Sequence, residues 1–200
     1  MTAARPTTGI LVRLKQETRP EHEAIETALG LIQSTLTHAA YRRTLERFYG
    51  FYRPLEVKLQ ATLGLTGHRF DLTERLKTPF LDADLHALGV EFPNLLPVCA
   101  SLPVLTHEVN CFGCLYVLEG STLGGQLISR HVRQAIGVTP ETGGRFFHGY
   151  GDRTAQMWQH FRAAVTAFVV SPADQDAAVA AAKDTFQKLH RSTAAQGDSP

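Results

Sequence analysis

The 200-residue sequence has only three cysteines and no apolar run approaching the ~18 residues that a membrane span needs. Cys99, Cys111 and Cys114 are an odd number in a chain long enough to bury its own core, which argues against a disulfide-stapled secreted framework. Neither sign of charge is in excess: 20 Lys and Arg face 19 Asp and Glu. That balance offers no electrostatic grip on a phosphate backbone or an acidic bilayer, so neither nucleic acid nor membrane is expected as a partner. The opening residues place no apolar stretch behind Arg5, so no secretory leader is read and a cytoplasmic location is expected. Repeats and low-complexity segments are absent, and runs of alternating β-branched residues bounded by turn signals are almost so.

What is present is helical periodicity. Apolar residues recur at spacings of three and four over long stretches, which makes the class all-α and the organisation a single domain over 1–200, ordered from about 8 to 193. The pattern predicts helices over 8–30, 37–63, 72–88, 101–136 with a break or kink, 152–170 and 173–193. Between them fall Gly64 to Gly67, the Pro93 to Pro103 stretch and a Gly-rich loop from Gly137 to Gly151; Gln196 to Pro200 are expected to fray. Pro54 lies inside the second pattern, where it removes a backbone donor and should bend the helix.

In the first helix Leu11, Leu14, Thr18, His22, Ile25 and Leu29 share one face, so His22 takes a place in the apolar stripe and should point inward. Glu26, one turn on, is placed to orient the imidazole, and Lys15 lies two turns earlier on the same side. A ring nitrogen, a carboxylate behind it and a cation nearby suit an iron porphyrin; a hydrogen-bonded core histidine is the plain alternative. Thr18-Arg19-Pro20-Glu21 reads as a capping box with proline near a helix start, so the helix either restarts there or kinks.

The segment from Phe112 to Arg130 is helical in pattern yet holds Gly113, Gly120, Gly124 and Gly125. Each glycine costs roughly 1 kcal/mol relative to alanine, so the segment needs a compensating reason for them. Gly120 and Gly124 lie on one face and admit something close to the backbone, either another helix or a flat ligand. Neither glycine fingerprint of dinucleotide or phosphate binding fits Gly-Ser-Thr-Leu-Gly-Gly, and no strand precedes it. Cys111-Phe112-Gly113-Cys114 raises zinc or redox chemistry, but it lacks a second paired motif, and small buried thiols in a helix are commonplace. The remaining histidines form no metal-binding pattern; His131 alone continues the face of Gly120 and Gly124 and could line its far end.

Two of these segments together resemble the haem oxygenase family, in particular the bacterial biliverdin-producing type that accompanies bacteriophytochromes. Leu14-Lys15-Gln16-Glu17-Thr18-Arg19-Pro20-Glu21-His22 is similar to the family's proximal helix, and Leu115-Tyr116-Val117-Leu118-Glu119-Gly120-Ser121-Thr122-Leu123-Gly124-Gly125-Gln126 to its distal helix. The resemblance covers most of the chain. It implies a helical bundle holding haem between the proximal helix and a glycine-kinked distal helix. His22 would be the iron ligand, with Gly120, Ser121 and Gly124 over the iron. Lys15, Glu26, Tyr116, Arg162 and Phe186 would contact or orient the haem, Arg162 at a second propionate and Phe186 as a facing aromatic. Many members carry Asp where this sequence has Ser121, so a water network arranged around a serine is implied instead.

The implied activity is cleavage of haem, cofactor and substrate at once, to biliverdin, CO and ferrous iron. It would use O2 and electrons from an external reductase or ferredoxin, with a bacteriophytochrome as a biliverdin acceptor. A haem carrier or sensor without turnover is the alternative.

Overall fold

Pro20 cannot donate to the Gln16 carbonyl, and the chain resolves the conflict by stopping one helix and starting another. In the computed structural model, which describes residues 9–65 and 70–194, α1 (Ile10–Glu17) ends at Thr18 and α2 (Arg19–Leu29) begins directly after it. Gly67, His68 and the terminal segment from Gln196 lie outside the described residues. The expected restart is therefore observed, but the capping box is not. Thr18 turns its hydroxyl back to the Leu14 carbonyl at 2.7 Å instead of capping α2. Gly30, at φ 57°, ends α2 in the left-handed region that glycine tolerates best.

The second long pattern forms α3 (His38–Leu65), which runs through Pro54. The carbonyl that Pro54 leaves without a donor belongs to Gly50, and it accepts the Cys99 N–H at 2.8 Å. The 93–103 stretch is thus bound to the proline site, and a side chain at Gly50 would meet the Pro97 carbonyl at 2.5 Å.

The expected 72–88 helix divides into a 3-10 turn at Thr73–Arg75 and α4 (Thr78–Ala87). Glu56 of α3 causes the division by accepting the N–H groups of Lys77 at 2.5 Å and Thr78 at 3.1 Å, which satisfies the start of α4. The glycine-containing segment is α5 (Glu108–Ile136), which begins later than expected because 101–107, with Pro103, is irregular, and which is continuous through all its glycines.

Residues 137–151 are more ordered than a Gly-rich loop implies. A π turn at Pro140–Gly144 leads into α6 (Arg145–His148), whose first N–H groups, Arg145 and Phe146, are accepted by the Asp84 carboxylate at 2.8 and 2.7 Å. Two further helices, α7 (Thr154–Phe168) and α8 (Pro172–Ala194), complete the chain. No strand occurs among the described residues, in keeping with an all-α class.

The position of α8 organises the bundle. It packs most extensively on α5 and also receives α1, α2 and α3, while α5 contacts α6 and α7 on its other sides. Apolar burial is dense behind α5, where Phe48, Tyr52, Phe146 and Phe147 meet at ring separations of 5.0 to 6.1 Å. α2 and α5 both pack on α8 with few contacts to each other, and the space between them over α8 is the candidate cleft.

Candidate active site

His22 was expected to point into the core, and it does not: its side chain is 53% exposed on the cleft side of α2. The break at Thr18 explains the difference, since the stripe of α1 does not continue in register into α2, and only Ile25 of α2 is fully buried. One ring edge is held by Phe186 of α8, with centroids 5.7 Å apart and planes at 81°. Nδ1 faces Glu26 Oε2 at 3.4 Å, within ion-pair range but longer than a tight hydrogen bond, and this leaves Nε2 as the nitrogen directed elsewhere. His22, Glu26 and Phe186 are thus brought together.

The four α5 glycines separate into two kinds. A Cβ at Gly113 would lie 2.0 Å from the Ala178 carbonyl of α8, and one at Gly125 would lie 2.7 Å from the Phe147 carbonyl. These two are packing glycines. Gly120 would meet only Trp158, at 4.0 Å, and Gly124 nothing within 4 Å, so helix packing does not account for them. Around them α5 exposes Leu123 and Leu127, and Ile32 is exposed just after α2. Bare backbone flanked by apolar side chains suits a flat apolar ligand. Ser121, beside Gly120, donates its hydroxyl to the Leu118 carbonyl at 2.8 Å, so toward the cleft it offers an acceptor.

The cleft is edged by residues of two further helices. Tyr116 is half-buried on α5 with its ring 5.9 Å from that of Trp158, which the sequence reading passed over although it is the one tryptophan of the chain. Arg162 is one turn beyond Trp158 on α7 and borders a groove of about 410 Å³ with Leu11 and Thr166. Leu11 is one turn before the exposed Lys15 on α1, so Arg162 and Lys15 belong to neighbouring helices. The structure does not bring Arg162 to His22, and the groove itself contains no candidate iron ligand. At the opposite end, His131 Nε2 meets the Gln33 carbonyl at 3.1 Å and ties α5 to the segment following α2.

A buried charged cluster behind the glycine face was also missed. Glu119, 1% exposed, takes an ion pair from Arg75 and a 2.7 Å hydrogen bond from the Tyr150 hydroxyl. The Lys77 ammonium lies 3.4 Å from the Tyr150 ring centroid, and burial lowers its pKa to about 8 against the pull of Glu119 and Glu56. A carboxylate in the apolar run Cys114–Glu119 was the available signal, because Glu is almost never buried unless paired.

Cys111 and Cys114 are both buried, and burial raises their thiols to about 11 and about 12. No group of three or more His, Cys, Asp or Glu able to hold a metal occurs among the described residues. Buried thiols of this kind pack rather than ligate, and His22 with Glu26 is a candidate imidazole donor.

Comparisons with known proteins bear on the family likeness and the fold. A family model described as heme oxygenase matches residues 96–194. A heme oxygenase of Xanthomonas campestris pv. campestris is 28% identical over 172 residues, covering 84% of this chain and 96% of that protein. By these matches the chain is similar to haem oxygenases.

The solved haem oxygenase of Leptospira interrogans superposes with a TM-score of 0.77 at 18% identity, covering 94% of this chain and 100% of that one. That of Neisseria meningitidis, solved with NO and CO bound, gives 0.75 at 21% identity, with 92% of each chain covered. Heme oxygenase-1 of Synechocystis, solved with heme, gives 0.74 at 15% identity, with 94% and 92% covered. These likenesses are of fold. The matched residues 96–194 include the whole glycine segment, Arg162 and Phe186, whereas His22 and Lys15 lie outside them.

The residues present fit a haem. One imidazole with a carboxylate at its other nitrogen and uncrowded backbone at Gly120 and Gly124 are what an axially ligated planar macrocycle needs.

Proposed function

We propose that this protein is a haem-cleaving oxygenase, converting haem to biliverdin, CO and ferrous iron with O2 and electrons from a separate donor. The observation that carries this reading is the open glycine face of α5, Gly120 and Gly124, set across α8 from a His22 steadied by Phe186 and Glu26. Haem, when bound, supplies the iron that activates O2 and the ring that is cut. The rest is the work of the chain. His22 would hold the iron, and Glu26 would fix which ring nitrogen is presented.

Gly120 and Gly124 keep the space above the ring free of side chains, and Leu123, Leu127 and Ile32 exclude bulk water. The Ser121 proton is committed to Leu118, so Ser121 would order water as an acceptor, and that water would serve as the proton source in the pocket. Lys15 and Arg162 hold the propionates, while Tyr116 and Trp158 close the side of the pocket. Electrons arrive from a reductase or ferredoxin, and the biliverdin is passed to an acceptor, for which the sequence resemblance points to a bacteriophytochrome. We place the reaction in the cytoplasm; among the described residues no helix is long and apolar enough to cross a membrane.

The decisive experiment mixes the purified protein with haemin, adds a reductant in air and follows the visible spectrum. The sharp haem band should give way to the broad red absorption of biliverdin, with CO released. A band that forms and then persists would instead make the protein a carrier or sensor.

A further inference from the structure

The helix that carries His22 is lightly anchored: Ile25 is the one fully buried side chain of α2. The break at Thr18 separates it from α1 at one end, and Gly30 ends it at the other. Beyond Gly30, Leu31 is 2% exposed and pins the chain to the core, but Ile32, Gln33, Ser34 and Thr35 all face solvent. This exposed strap is drawn into a turn by the Gln33 N–H on the Gly30 carbonyl at 3.3 Å and the Leu36 N–H on the Gln33 carbonyl at 3.2 Å.

The Gln33 carbonyl takes a second donor from α5, the Nε2–H of His131 at 3.1 Å. A carbonyl only accepts, so the bond itself requires the hydrogen on Nε2. His131 lies two turns past Gly124, roughly 10 Å along the same face of α5. Leu29 lies two turns past His22 on α2, and the strap follows directly, so the tie falls beyond the same end of both cleft walls. The exposed Ile32 adjoins it on one side, and the exposed Leu127, one turn before His131, on the other. Packing on α8 holds α2 and α5 individually, whereas this hydrogen bond spans the distance between the two walls.

We propose that the His131–Gln33 hydrogen bond is a latch on the cleft: it holds the free end of α2 to α5, and haem enters and leaves when it opens and α2 swings about the break at Thr18. The inference rests on the haem reading above. A solvent-exposed strap with few buried contacts opens locally at a much lower cost than the whole fold. The latch joins two groups of the protein rather than protein to ring, so it resists passage in both directions alike. A side chain that grips the ring slows exit alone; a latch slows entry and exit together and leaves the affinity nearly unchanged.

The test measures both rates on the whole chain by stopped flow. Entry is read from the haem band that forms on mixing with haemin, and exit from transfer of the bound haem to excess apomyoglobin. His131→Ala should speed entry and exit each by roughly three- to tenfold, the effect of losing one hydrogen bond, with the equilibrium affinity within about twofold of wild type. His131→Gln, whose amide can still donate to the carbonyl, should return both rates toward wild type. Lys15→Ala, which removes a proposed contact to the ring and leaves the latch in place, should speed exit without speeding entry. In haem-free protein, His131→Ala should quicken hydrogen exchange at the amides of residues 31–37.

Exit that quickens while entry keeps the wild-type rate would make His131 an ordinary contact to the ring, and unchanged rates beside a lower melting temperature would make it a brace of the surface; either result overturns the proposal. Unchanged exchange at residues 31–37 would mean that the bond does not hold the strap, and would overturn it too. Wild-type protein that forms no haem band at all overturns the haem reading and this inference with it. A normal band with wild-type entry and exit in His131→Ala overturns this inference alone.

Discussion

Phe186 stands edge-on to His22, ring centroids 5.7 Å apart, and is the one aromatic contact that the histidine makes among the described residues. The contact fixes the imidazole from the α8 side while leaving its cleft side open. His22→Ala should therefore leave the helical content and melting temperature close to wild type, because a half-exposed side chain contributes little to the core. Haem turnover should be abolished and partly restored by added imidazole. Full activity without imidazole would remove His22 as the iron ligand. Phe186→Ala is expected to have the opposite balance: a loss of about 3 kcal/mol in stability for a buried phenylalanine, read by urea unfolding, with turnover reduced but not abolished.

The helical class was legible because it rests on periodicity, whereas setting His22 opposite the glycine segment came from the family resemblance alone. The direction of His22 was not legible, since it depends on how α1 and α2 meet at Thr18, where the hydroxyl bonds to Leu14 and the expected cap is lost. The cluster of Glu56, Arg75, Lys77 and Glu119 joins residues up to 63 positions apart, and such pairing is fixed by packing rather than by any local pattern. The start of α4 was misplaced for the same reason, as its cap comes from Glu56 of α3. The two kinds of glycine in α5 look alike in sequence and differ only in what opposes them.

Asp84 gives the fold a pH dependence of unusual sign. Burial raises its carboxyl to about 6 even though it accepts the Arg145 and Phe146 N–H groups. A carboxyl that binds its proton more tightly when folded adds stability on the acid side. The gain is present below its ordinary value near 4 and is lost as pH rises through about 6. Burial raises the Glu56 carboxyl as well, so the two act in the same direction. The Asp84→Asn variant should lose most of the stability difference between pH 4.5 and pH 7 measured by urea unfolding. An unchanged difference would assign the effect to other groups.

Cysteine chemistry separates Cys99 from the other two. Cys111 and Cys114 are buried with thiols raised to about 11 and about 12, so almost no thiolate exists near neutral pH. Cys99 is partly exposed, its thiol directed at the Ser101 carbonyl. A thiol-reactive dye at pH 7.5 should label one equivalent per chain of native protein and all three only after denaturation. Rapid native labelling of two or three thiols would show that the CxxC is open to redox or metal chemistry.

The strongest contrast concerns the α5 glycines, because position alone should reverse the sign of the same substitution. Alanine is better than glycine inside a helix by about 1 kcal/mol, and at Gly124 the added methyl meets nothing within 4 Å. Gly124→Ala should thus stabilise the haem-free protein by up to about 1 kcal/mol. Turnover should fall all the same, because the methyl enters the space assigned to the ring and its oxygen, and Gly120→Leu should block oxygen chemistry outright. At Gly113 and Gly125 the methyl would strike backbone carbonyls at 2.0 and 2.7 Å, and relieving the clash means moving α8 or α6. Those alanine variants should lose about 1 to 3 kcal/mol or more. Melting curves of the four haem-free alanine variants, set beside their turnover, test the assignment directly. If Gly124→Ala destabilises the protein as Gly113→Ala does, the face is packed rather than open, and the haem must bind elsewhere.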